Sequence, residues 1–149
     1  MLYENEDYLK TILLSFRDIH QETRTILNGA AMKKDITIVQ LLVANIIKKN
    51  PQSTLNQVAK EMRLGKSTVS GIVSRMVNSG YILKEEDPSD RRNTLLSLSL
   101  SGEQKVSETY DIYLKNLLPI LEIDPEKLAD LLTTHQQILT ILDEVKHHD

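Results

Sequence analysis

Arg91 and Arg92 stand side by side in the stretch DPSDRR, Asp87 to Arg92, between two runs that read as β-strands, YILKEE and NTLLSLSL. Asp87, Pro88, Ser89 and Asp90 are turn formers, but two long cations add nothing to a tight turn. Guanidinium groups at a hairpin tip suit one chemistry well, insertion into a narrow groove of concentrated negative potential. Asp90 stands where it can hold one guanidinium in a fixed orientation. The plainer alternative is a solvated turn. Upstream, the run KSTVSGIVSRMVNS carries a second candidate surface. Val69, Ile72, Val73, Met76 and Val77 fall on one helical face, leaving Lys66, Ser67, Thr68, Ser70, Gly71, Ser74 and Arg75 on the other. That second face holds hydroxyls and two cations and no carboxylate. Small side chains let a helix lie deep in a DNA major groove, where hydroxyls bond base edges. Lys66 and Arg75 can pair with phosphates, and the free N–H groups at the helix start favour an anion. A tolerated, poorly optimised solvent face is the alternative.

These residues need a frame. From Asp7 to about Gly29, apolar residues recur at steps of three and four, which predicts a long helix ended by Gly29. A second helix is expected from Thr37, where Thr37 and Gln40 have capping-box spacing, to just before Asn50-Pro51. Thr54 and Gln57 open a short helix with Leu55, Val58, Ala59 and Met62. With Ala59 at the crossing and Leu64 plugging the turn, this helix and the Lys66–Ser79 helix, closed by Gly80, form a helix-turn-helix pattern. Two strands and the DPSDRR turn follow, with Leu96, Leu98 and Leu100 alternating with Ser97 and Ser99. A third capping-box spacing, Ser101 to Gln104, starts a stripe running through Val106, Tyr110, Tyr113, Leu114, Leu117, Leu118 and Leu121. Asp124, Pro125 and Glu126 have the chemistry of a last helix start.

Composition bounds the alternatives. A chain of 149 residues with 40% apolar and 26% charged residues has the make-up of a soluble globular protein with one self-sufficient core. No opening segment reads as a signal peptide, and the most apolar run, IVQLLVANII, is too short and polar to span a bilayer, so a cytoplasmic protein without membrane contact is expected. Cysteine is absent, which excludes disulfides, thiolate metal sites and thiol redox sensing. The net charge of −3 is unevenly spread: from Thr54 to Ser79, Lys60, Arg63, Lys66 and Arg75 face only Glu61. A locally basic middle on an acidic body points to an anionic partner. The terminal helices carry more apolar stripe than the small central unit can cover, which predicts a homodimer packed through them, with a monomeric helical cap as the alternative.

The run ITIVQLL, then TLNQVAKEMRLGKSTVSGIVSRMVNSGYI, then DPSDRRNTLLSLSLSGEQ resembles the winged helix-turn-helix regulators of the multiple-antibiotic-resistance regulator (MarR) family, over roughly Ile36 to Gln104. The resemblance implies a mainly α fold with a small β wing. Residues 1–34 would form an N-terminal dimerisation helix, 35–100 the winged DNA-binding domain and 101–149 the C-terminal dimerisation helices. It implies a homodimeric transcriptional regulator, expected to be a repressor, on a pseudo-palindromic operator in double-stranded DNA. Ser67, Thr68 and Ser70 would face the major groove, Arg75 would meet backbone, Asp90 would brace the wing, and Arg92 would enter the minor groove. Gly65 departs from the family's common Ser or Asp helix cap, and the Leu-Ser of LSLSLSG replaces a frequent Leu-Thr. Family members often sense small aromatic molecules between the dimer helices and the DNA-binding lobe. Phe16, Tyr110 and Tyr113 are the candidates to line such a pocket, against an alternative of plain core packing.

No other pattern carries chemistry. His20 and His135 lie on or near apolar stripes, and His147 and His148 at the end, without ligand spacing, so neither metal nor cofactor is expected. Glu85, Glu86 and Asp87 have no nucleophile or activated base beside them, so nothing supports an enzyme. The remaining alternative to DNA binding is a winged-helix module that contacts an acidic protein.

Overall fold

The computed structural model describes residues 2–148, with side chains from Glu4 onward. Six α-helices and three short strands follow in the order α1 (Leu2–Lys33), α2 (Ile38–Lys49), β1 (Ser53–Thr54), α3 (Leu55–Met62), α4 (Lys66–Asn78), β2 (Ile82–Glu86), β3 (Thr94–Leu98), α5 (Leu100–Leu117) and α6 (Pro125–His147). A 3-10 turn, Leu118–Glu122, lies between α5 and α6. The fold is mainly α with an antiparallel wing, and it divides into two compact units between Tyr113 and Leu114.

In the first unit the core is built where three amphipathic helices meet the sheet. Leu41, Val43, Ala44 and Ile47 of α2, Val58 and Ala59 of α3, and Val69, Val73 and Met76 of α4 are buried together with Ile82, Leu96 and Val106. Each fully buried Leu, Ile or Met contributes about 1.5–3 kcal/mol relative to an exposed one. Local chemistry starts the helices as their sequences require. The capping boxes Thr37–Gln40 and Thr54–Gln57 both form with reciprocal bonds. Asp124 caps α6, accepting the Glu126 N–H at 3.0 Å, with Pro125 at the first position. In the second unit α6 buries no described residue, and Leu131, Leu132, Leu139, Ile141, Leu142 and Val145 are exposed.

Five expectations are corrected. Helix α1 runs from Leu2 rather than Asp7 and continues past Gly29, because the buried Ala30 and Ala31 carry it into the core. It ends where Asp35, in the left-handed region at φ 55°, turns the chain and the Ile36 N–H returns to the Ala31 carbonyl at 3.1 Å. Leu100 is not the last inward strand residue; it opens α5 and is 86% exposed. The Ser101–Gln104 box is replaced by a cap two residues earlier, where the Ser99 hydroxyl accepts the Gly102 N–H at 3.0 Å. The stripe leaves α-geometry at Leu118, the residue before Pro119, and Leu118 and Leu121 are exposed. Leu64 does not plug the helix-turn-helix angle; it is 41% exposed.

A third strand, β1, was not legible. Its two residues pair with β3 in the register Ser53 with Leu96 and Thr54 with Leu95. The wing is thereby hydrogen-bonded to the residue that caps α3. On the other side of β3, Ile82 pairs with Leu98 and Glu86 with Thr94, giving the order β1-β3-β2.

Candidate nucleic-acid interface

Helices α3 and α4 are joined by Arg63, Leu64 and Gly65. Arg63, not the glycine, takes the left-handed conformation, at φ 55°, and its N–H returns to the carbonyls of Ala59 and Lys60. Gly65 occupies the N-cap of α4 in an extended conformation and supplies no side-chain cap. The first N–H groups of α4 therefore carry the positive end of the helix dipole without a side-chain acceptor in front of them.

The two faces of α4 divide as their sequence requires. Val69, Val73 and Met76 are buried, and Ile72 and Val77 are half-buried. Lys66, Ser67, Thr68, Ser74 and Arg75 are exposed, while Ser70 and Gly71 are half-buried. A Cβ added at Gly71 would meet only the Arg75 guanidinium, at 4.0 Å, so the fold does not require glycine there.

The wing tip is held by its own acidic residues. The Asp87 carboxylate accepts the Ser89 hydroxyl at 2.7 Å and the Ser89 N–H at 2.9 Å, and these two bonds hold it below the ordinary aspartate range. The Asp90 carboxylate accepts the Arg92 N–H at 3.1 Å and stands 3.9 Å from Arg92 Nε. The backbone bond is the firmer of the two, and the Arg92 side chain is left 95% exposed. Arg91 is exposed beside it.

Between α4 and the wing lies a cleft of about 110 Å³ lined by Lys66, Ser70 and Val73 of α4, Thr54, Leu55 and Asn56 at the start of α3, and Lys84, Arg92, Asn93, Thr94 and Leu96 of the wing. Three cations converge on it, and no carboxylate lines it. Of the residues singled out from sequence, Lys66, Ser70 and Arg92 come together here; Ser67, Thr68, Ser74, Arg75, Asp90 and Arg91 lie outside its lining. Lys84, Asn56, Asn93 and Thr94 were missed. Lys84 was within reach of the period-two pattern: it follows the buried Ile82 by two residues and pairs with Leu96, which puts it on the cleft side of β2.

The aromatic candidates do not share one cavity. Tyr113 lines a separate cavity of about 150 Å³ with His20, Thr23, Arg24, Leu27, Ile38 and Leu42. Tyr110 packs against the core, accepts a hydrogen bond from Asn45 Nδ2 and meets Tyr113 edge-on with ring centroids 6.1 Å apart. Phe16 is half-buried on α1 and lines neither cavity. Among the described residues no group of three or more His, Asp or Glu side chains could hold a metal ion, and no helix is long and apolar enough to cross a membrane.

Residues 34–93, which contain α2 to the wing tip, match the sequence model of the MarR family. The chain is 24% identical over 101 residues to the HTH-type transcriptional regulator YcgE of Bacillus subtilis, a match spanning 68% of this chain and 66% of that relative's own length. Apo wild-type MarR of E. coli superposes with a TM-score of 0.73 at 20% identity, covering 83% of this chain and 93% of that one. A mutant of MepR from S. aureus, bound to an oligodeoxyribonucleotide, superposes with a TM-score of 0.65 at 20% identity over 88% of this chain and 97% of that one. At these identities the structures establish the winged-helix fold.

Proposed function

We infer from the match of residues 34–93 to the MarR family model, together with the winged-helix fold, that this chain belongs to that family and is a DNA-binding transcriptional regulator and not an enzyme. It acts as a homodimeric repressor on a pseudo-palindromic operator in the cytoplasm. The observation that carries this reading is the cleft in which Lys66, Lys84 and Arg92 converge without a carboxylate. That charge pattern suits a phosphate backbone. The α4 face of Lys66, Ser67, Thr68, Ser70, Ser74 and Arg75 enters the major groove, where small hydroxyls permit close approach. The wing places Arg92, oriented through Asp90 with Arg91 beside it, in the flanking minor groove. MepR, of the same fold, is seen with an oligodeoxyribonucleotide, which supports the same use of the fold here.

Dimerisation is supported by unpartnered apolar surface on the terminal helices. Tyr8, Leu9, Leu13, Leu14 and Ile19 of α1 are exposed, as are the six residues of α6 named above. Exposed apolar side chains repeated along a helix in this way are the mark of an interface. A two-fold dimer then sets half-sites about one helical turn, roughly 10 base pairs, apart. The cavity at Tyr113, with Arg24 and His20 beside apolar Leu27, Ile38 and Leu42, suits a small aromatic acid, whose binding would relieve repression by favouring one spacing of the DNA-binding units.

The test is a titration with duplex DNA at two salt concentrations. Binding that weakens steeply as salt rises is the expected result; duplex binding that is negligible at both concentrations returns the protein to the class of protein-interaction modules.

A further inference from the structure

Ser99 carries no charge and lines neither cavity, yet each of its polar groups is engaged. Its N–H donates to the Tyr81 carbonyl at 3.0 Å, and its own carbonyl accepts the Glu103 N–H at 2.9 Å. Its hydroxyl accepts the Gly102 N–H at 3.0 Å and donates to the Gly80 carbonyl. Gly80, at φ +80°, is the residue that turns the chain out of α4. Tyr81 leads into β2, and Gly102 lies in the first turn of α5. One residue therefore joins three elements: its side chain links the chain leaving α4 to the start of α5, and its backbone N–H holds the base of the wing.

The geometry points to Ser99 as a positioning residue for the wing, fixing the angle between wing and α4 and hence where Arg92 falls on the duplex. The inference rests on the DNA-binding reading above. The last ladder pair of the wing is Ile82 with Leu98, and Ser99, the residue after Leu98, bonds the Gly80 carbonyl just past the α4 terminus. Arg92 sits at the opposite end of the hairpin. Over a five-residue strand of roughly 17 Å, about 10° of looseness at the base moves the tip about 3 Å, the length of a hydrogen bond. A serine that served only as a helix cap would need the Gly102 bond alone. The bond to Gly80 goes to the residue that follows the C-cap of α4, and capping of α5 does not account for it.

The test is a double-mutant cycle between Ser99→Ala and Arg92→Ala, read as the affinity for a duplex that the wild-type protein selects from a random pool. Arg92→Ala should weaken binding about tenfold in the wild-type background and by less than about twofold once Ser99 is alanine. Ser99→Thr, which keeps the hydroxyl, should restore the full Arg92 effect. Should the alanine variant fail to fold, Ser99→Cys, close in size but a weak hydrogen-bond partner, enters the same cycle under reducing conditions. Equal losses from Arg92→Ala in both backgrounds, zero included, overturn the proposal and leave Ser99 a helix cap. A wild-type protein that selects no duplex overturns the DNA-binding reading itself, and this inference with it.

Discussion

Gly102 lies so close beneath Tyr81 that a Cβ at that position would stand 3.0 Å from the Tyr81 carbonyl carbon and overlap the carbonyl oxygen. The obstacle is backbone, and the same oxygen is committed to the Ser99 N–H, so neither side can yield cheaply. Gly102→Ala should therefore destabilise the fold by about 1–3 kcal/mol, the usual cost of overpacking a close contact. Urea unfolding reads this directly, and a midpoint within error of wild type would show that the junction is looser than it looks.

Arg92 is almost fully exposed, so the fold does not depend on its side chain. Arg92→Ala should leave the melting temperature unchanged and weaken DNA binding. The slope of log affinity against log salt should fall by about one if the guanidinium meets a phosphate. Isothermal titrations at several salt concentrations measure both quantities.

Gly71 offers the opposite case to Gly102. Nothing but the Arg75 guanidinium would meet a side chain there, so Gly71→Ala should stabilise α4 by about 0.5–1 kcal/mol through helix propensity. If α4 meets DNA through this face as proposed, the added methyl should also lower affinity. A variant that melts higher and binds duplex as tightly as before would take Gly71 out of the contact surface.

The Lys34 ammonium sits 2.9 Å from the Glu108 carboxylate, which also accepts Gln104 Nε2 at 2.8 Å. These hydrogen bonds, Lys34 first, lower the Glu108 pKa in the folded state. A depressed folded pKa contributes stability above the ordinary glutamate range and loses it as pH falls through the folded value. Thermal melts carried from neutral pH down through and below the ordinary glutamate range should show Glu108→Gln with a shallower acid loss than wild type. Parallel curves for the two proteins would rule the pair out as a source of acid sensitivity.

Leu132 of α6 is 70% exposed, so a charge there costs the isolated chain little. Leu132→Asp should shift a dimer toward monomer in sedimentation equilibrium while leaving helical content intact. A wild-type chain that sediments as a monomer at micromolar concentration would remove the dimer from the proposed function.

What the sequence disclosed was local. Thr37 with Gln40, Thr54 with Gln57 and Asp124 with Pro125 announce their helices because each cap is complete within four residues. Val69, Val73 and Met76 announce the buried side of α4 through their spacing, and the buried side in turn defines the exposed one. Tertiary contacts hid the rest. Ser101, with Gln104 three residues on, is the stronger cap in sequence, and the bonds of Ser99 to the carbonyls of Gly80 and Tyr81 appear only in the folded chain. Two residues of β1 are too few to show alternation, and their partners lie some forty positions onward, a pairing that only the folded sheet reveals. Lys84 shares the period-two face of Ile82 in sequence, but only the register sets it opposite Leu96, on the cleft that Arg92 also lines.

The pairing of Ser53 and Thr54 with β3 bears on how this protein can be dissected. A fragment cut to the helix-turn-helix alone would strip the backbone partners from the residue that starts α3. One ended at the wing would forfeit the serine–glycine clasp at the hairpin's root. The smallest piece able to keep its shape must begin ahead of β1 and extend into α5, so reader and scaffold share one indivisible length of chain.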